Sequence, residues 1–216
     1  MKINASNQRR KFLSQLIVSA GTLGALPLIL NSRQALGQSS NPLKIGIIGS
    51  GRIGGSVGLR WAEAGHEILF SSRNPDSLLD LVAQAGPKCR AGYPQEAAEF
   101  GDIVLVAVPY AATPQIGRDY GHLMQGKIVI DCGNPYVQRD GDMAADALER
   151  GTGVVSAEYL RGVRLVRAFN ALSWREVQDE AHREGERIAI PIAGDDQEAV
   201  EVATQLVFDS GFDPVI

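Results

Sequence analysis

The sequence is poor in cysteine, histidine and lysine, and it has a single long apolar run. Two cysteines, Cys89 and Cys132, in 216 residues rule out a disulfide framework. Two buried thiols are expected, with pairing after export left open. The three histidines lie far apart and no CxxC or HExxH spacing occurs, so no metal site is expected. Residues 1–37 hold five basic residues and no acid, which leaves the rest of the chain with 16 basic against 25 acidic groups and no basic run. Such a surface has little with which to neutralise phosphates, so nucleic acid is not an expected partner. With apolar length confined to residues 16–30, a polytopic membrane protein is excluded too. The whole chain is 44% hydrophobic with 24 glycines, enough to build one core of ordinary globular composition.

Residues 1–37 divide into a basic segment around Arg9-Arg10-Lys11, the apolar run, and a short polar stretch ending near Ala35-Leu36-Gly37, with small residues at the expected cleavage site. That is the layout of an export signal. The run is 15 residues long and interrupted by Gly21, Gly24 and Pro27, whereas a bilayer core takes about 20. Arg9-Arg10-Lys11-Phe12-Leu13 is similar to the twin-arginine signature. The expectation is a signal at 1–37 cleaved near Gly37, a linker at 38–42, and export to the periplasm or an equivalent lumen. An uncleaved membrane anchor is the alternative.

From residue 43 the chain alternates. Strands are expected at 43–48, 67–71, 88–91, 102–108, 127–131, 163–168 and 187–192, with an extended end at 213–216. Helices are expected at 53–64, 75–85, 94–100, 113–124, 142–150 and 197–209. Strands separated by helices imply βαβ units, hence an α/β doubly wound parallel sheet of Rossmann type in a single domain, 43–216.

The first strand runs into Gly49-Ser50-Gly51-Arg52-Ile53-Gly54, a GxGxxG between strand and helix. Gly49 suits the tight turn, Gly51 a close approach to a pyrophosphate, and Gly54 close helix–strand packing; N–H groups around Arg52-Ile53 then face the diphosphate. An NAD site would carry an acid about 20 residues further on. The second strand instead ends Ser71-Ser72-Arg73-Asn74, with no acid before Asp76. Ser71, Ser72 and Arg73 can donate to a 2′-phosphate, which selects NADP(H). Arg52 is available to cover the adenine or to assist. Reacting groups belong beyond the strand ends, at Ala107-Val108-Pro109, Gly133-Asn134-Pro135 and Ala168-Phe169-Asn170. Asn134 and Asn170 are either turn formers or hydrogen-bonding groups for the carboxamide or a substrate ring.

These stretches, in this order, resemble the deazaflavin-dependent NADP reductase family over residues 43–216. The resemblance implies hydride exchange between NADP(H) and a reduced 8-hydroxy-5-deazaflavin. The same fold resembles the NADPH domain of the six-helix metalloreductases, which reduce ferric and cupric ions through a flavin.

Side-chain proton chemistry has few candidates. Lys44, Lys88 and Lys127 fall at strand starts, His66 is expected in a solvent-facing turn, and His122 and His182 are expected in helices. Hydride transfer between flat rings needs positioning rather than a base, so no acid–base residue is expected, and Pro109, Asn134, Pro135 and Asn170 are expected to shape the gap. The expected partners are a small-molecule redox acceptor of deazaflavin or flavin type, the twin-arginine translocase during export, and a second copy of the chain. A flavin-mediated metalloreductase, or a non-catalytic NADP-binding sensor or scaffold, are the alternatives.

Overall fold

The computed structural model describes residues 42–216. The expected signal at 1–37 and most of the 38–42 linker lie outside the described residues. The element order is β1 (Lys44–Ile48), α1 (Arg52–Glu63), β2 (Glu67–Ser71), α2 (Leu79–Ala85), β3 (Cys89–Gly92), α3 (Pro94–Phe100), β4 (Ile103–Val106), α4 (Thr113–Tyr120), β5 (Ile128–Asp131), α5 (Val137–Asp140), α6 (Asp142–Arg150), α7 (Thr152–Tyr159), β6 (Arg164–Arg167), α8 (Trp174–Asp179), β7 (Ala189–Pro191), β8 (Ala193–Gly194), α9 (Gln197–Asp209) and β9 (Asp213–Val215). Seven strands form one sheet in the order β3-β2-β1-β4-β5-β6-β8, and this is the Rossmann order with an extra edge. Its pairs are parallel except β6–β8.

The central strands are apolar along their whole length because helices cover both faces; every residue of Ile103–Val106 and Ile128–Asp131 is buried. On one face Trp61, Phe70, Leu206 and Phe212 pack under α1 and α9, and the Trp61 Nε1–H donates to the Leu206 carbonyl at 2.9 Å. On the other, Ala97, Ile116, Met124 and Leu160 pack under α3, α4 and α7.

Several expectations are corrected. The run at 187–192 does not join the main sheet: Ala189–Pro191 pairs in parallel with Asp213–Val215 as a separate two-stranded sheet. Pro191 and Pro214 lack the N–H a central strand must donate, which keeps both strands peripheral. The strand at 102–108 ends at Val106, freeing Ala107 and Val108 to line the site. Helices α5, α7 and α8 are additional to those expected. For α8 a signal was present: the Ser173 N–H donates to Glu176 Oε2 at 2.7 Å and Glu176 N–H returns to Ser173 Oγ at 3.3 Å, a capping box.

His66 is not a solvent-facing turn residue. It is 2% exposed, its Nδ1 accepts the Leu43 N–H at 3.2 Å, and Nε2 lies 3.0 Å from Asp209 Oδ2 at the end of α9. The last turn of α9 covers a turn that looks open in sequence. His122 sits in a short 3₁₀ turn, Gly121–Leu123, and His182 in an irregular turn at φ 57°, neither of them in an α-helix.

Candidate active site at the carboxyl ends of the strands

Two cavities meet at Ala107 and Val108, beyond the carboxyl ends of the central strands. The larger, about 660 Å³, runs from the glycine turn to Arg73 on one side and to Gln115 and Asp119 of α4 on the other. Gly49 has φ +94°, a left-handed value, and a Cβ there would lie 2.7 Å from the Ala107 carbonyl oxygen. Ser50 ties the turn to β2: its N–H donates to Ser71 O at 2.8 Å and its Oγ accepts the Ser71 N–H at 2.9 Å. A Cβ on Gly54 would lie 2.2 Å from the Gly49 carbonyl, whereas one on Gly51 would meet open space. The first intrahelical bond of α1 is Gly55 N–H to Gly51 O, and the first turn carries no acid. The N–H groups of Arg52, Ile53 and Gly54 precede that bond and sit at the positive end of the helix dipole, an arrangement suited to a diphosphate.

The polar groups after β2 divide in two. Ser71 is fully buried and its hydroxyl donates to Ile47 O at 2.6 Å, so it braces the strand rather than offering a donor to the cavity. Ser72 Oγ accepts the Asn74 N–H at 2.9 Å, folding the turn, and Arg73 stands exposed at the rim. Arg73 is thus the charge available to a 2′-phosphate in this wall. The Arg52 guanidinium is 5.6 Å from the centre of the ring of Trp174, a residue that lines the smaller cavity.

The smaller cavity, about 170 Å³, is lined by Asn134, Tyr136, Arg139, Phe169, Asn170 and Trp174 among others. Asn134 and Asn170 are brought together: Asn134 Nδ2 donates to the Asn170 carbonyl at 2.7 Å. Phe169 is 1% exposed and its ring packs edge-on against Trp61 at 5.6 Å, so it anchors the wall from the core. Its φ of 62° is uncommon for a bulky residue, and such backbone strain persists where the surroundings enforce it. Ala168 and Pro135 are buried behind the wall, and Pro109 is exposed at the mouth of the larger cavity.

Sequence reasoning missed a polar framework behind this wall. Asp131, fully buried, pairs with Arg167 on the adjacent strand. Arg139 binds Asp140, and Asp140 in turn accepts the Tyr136 N–H at 2.9 Å and the Ala111 N–H at 3.3 Å. The Arg139 hydrogen bond, helped by those backbone donors, holds Asp140 down at about 2. Burial, with Asp131 adding to it, pushes the Cys132 thiol up to about 12, and both cysteines are free and buried. The readable signal was opposite charges at equivalent ends of two strands, Asp131 and Arg167; their pairing depends on register, which sequence does not reveal.

Residues 44–135 match the family described as NADP oxidoreductase, coenzyme F420-dependent. An F420-dependent NADP reductase of Methanothermobacter thermautotrophicus is 27% identical over 177 residues, covering 76% of this chain and 75% of that protein. The metalloreductase STEAP3 of Rattus norvegicus is 27% identical over 179 residues, covering 80% of this chain; the chain spans only 33% of that longer protein. Among solved structures, a hypothetical protein from Sinorhizobium meliloti is 25% identical with a TM-score of 0.68, covering 80% of this chain and 83% of that one.

Proposed function

We propose that this chain, similar to the coenzyme F420-dependent NADP oxidoreductases over residues 44–135, is an NADP(H)-dependent oxidoreductase that exchanges hydride with a deazaflavin or flavin-type acceptor. The observation that carries the reading is the unbonded first turn of α1 opening on a long cleft whose far wall ends in Arg73. The N–H groups before Gly55 would hold the diphosphate, and Arg73 with the Ser72 turn the 2′-phosphate. Ala107 and Val108, shared by the two cavities, would support the nicotinamide. When bound, NADPH supplies a hydride, a pair of electrons with one proton, to a planar acceptor. The chain contributes orientation: Asn134 and Asn170 form the polar wall, and Trp174 and Tyr136 add aromatic rings to the lining of the smaller cavity.

That second cavity, adjoining the first, favours an enzyme over a sensor that only binds the dinucleotide. The likeness to the rat metalloreductase supports a second reading, in which a flavin relays electrons to ferric or cupric ions. Purified protein offered NADPH with deazaflavin, with flavins, and with flavin plus ferric chelate separates the readings. Deazaflavin-dependent oxidation of NADPH is the expected result. Turnover only with flavin and ferric chelate favours the second reading, and tight binding without turnover favours the sensor.

A further inference from the structure

We propose that the buried Asp131–Arg167 ion pair is a positioning device for hydride transfer, fixing the Gly133 peptide and through it Asn134 as the group that orients the nicotinamide carboxamide. The inference rests on the reading of the cleft as an NADP(H) site. The two residues face each other across the parallel pair β5–β6, with the Asp131 side chain fully buried and that of Arg167 13% exposed. One guanidinium nitrogen binds one carboxylate oxygen. The other, Nη2, donates to the Gly133 carbonyl at 2.7 Å, and the second carboxylate oxygen accepts the Gly133 N–H at 2.8 Å. A single ion pair therefore holds both polar groups of one residue. A side chain at that residue is excluded, because its Cβ would lie 2.9 Å from Asp131 Oδ1 and 3.4 Å from the Tyr110 ring.

Stability alone does not call for this arrangement, since well-packed apolar residues commonly replace a buried ion pair without loss. Direction is what the pair adds. Asn134 follows at once, its carbonyl accepting from Arg139 Nη2 at 2.8 Å and its Nδ2 donating to Asn170 O at 2.7 Å. Asn134 lines the smaller cavity, and among the described residues no hydrogen bond engages its Oδ1, for which a carboxamide NH₂ would be the matching donor. Asp131 and Arg167 act on the ring through Asn134.

The test compares NADPH with 2′,5′-ADP, which keeps the 2′-phosphate but lacks the nicotinamide. The paired variant Asp131→Leu/Arg167→Met removes the clamp without leaving an orphaned charge, and Arg167→Lys keeps the charge but loses the fork. Calorimetric titration of the full chain is expected to give 2′,5′-ADP affinities within about twofold of the parent and NADPH affinities weakened at least about tenfold, a difference of about 1.4 kcal/mol. An unchanged ratio of the two affinities overturns the proposal, and so does equal weakening of both, which marks the pair as structural support. Should the paired variant not fold, Arg167→Lys decides by the same ratio. A parent protein that binds neither compound instead removes the NADP(H) reading itself.

Discussion

Among the described residues that line the larger cavity Arg73 is the one cation, and Ser71 is turned into the sheet, so discrimination between the two dinucleotides should depend on Arg73. Arg73→Ala is expected to reduce the preference for NADPH over NADH at least about tenfold, about 1.4 kcal/mol, in parallel titrations. An unchanged preference would assign the 2′-phosphate to other groups. The glycines of the turn allow a sharper separation of folding from binding. Gly51→Ala adds a Cβ in open space and should leave the melting temperature unchanged while weakening NADPH. Gly54→Ala drives its Cβ to 2.2 Å from a backbone oxygen and should cost about 1–3 kcal/mol of stability, read by thermal or urea unfolding. The glycine spacing and the lack of an acid after β2 were legible because local chain geometry and charge need no tertiary knowledge. The conduct of Ser71, Arg52 and His66 was not, since each is decided by a partner distant in sequence: Ile47, Trp174 and Asp209.

Elements with a strong local signature were readable to the residue: Glu67–Ser71, Pro94–Phe100, Asp142–Arg150 and Gln197–Asp209 coincide with expectation. The insert of α5 and α7 was missed. The single turn of α5 is held by side chains, with Asp140 capping the N–H groups of Tyr136 and Ala111, and it presents no apolar stripe. That dependence gives the site an acid limit. Asp140 is depressed to about 2 by Arg139, so its contribution is complete above the ordinary carboxylate value of about 3.9 and is lost as pH falls through about 2. The amide resonances of Tyr136 and Ala111 should titrate in that window, and in Asp140→Asn the transition should vanish. Because Tyr136 and Arg139 line the smaller cavity, acceptor affinity should follow the same variant downward even at neutral pH.

For the molecule as a whole, the acidic balance after residue 37 contrasts with the five basic residues before it. We propose that residues 1–37 direct export through the twin-arginine route, with NADPH bound before translocation. Replacing Arg9 and Arg10 with Lys should retain full-length precursor in the cytoplasm, measured by fractionation and blotting; undiminished export would exclude that route. The arrangement of sheet edges bears on how such a protein fares when concentrated. One edge is the two-residue β8, running against its neighbour, and the other is the four-residue β3, which carries Arg90 with its guanidinium 4.6 Å from the Phe100 ring. Short borders, one of them marked by a cation, give an incoming strand little on which to template. The native fold should therefore resist seeding of fibrils at either border of the main sheet.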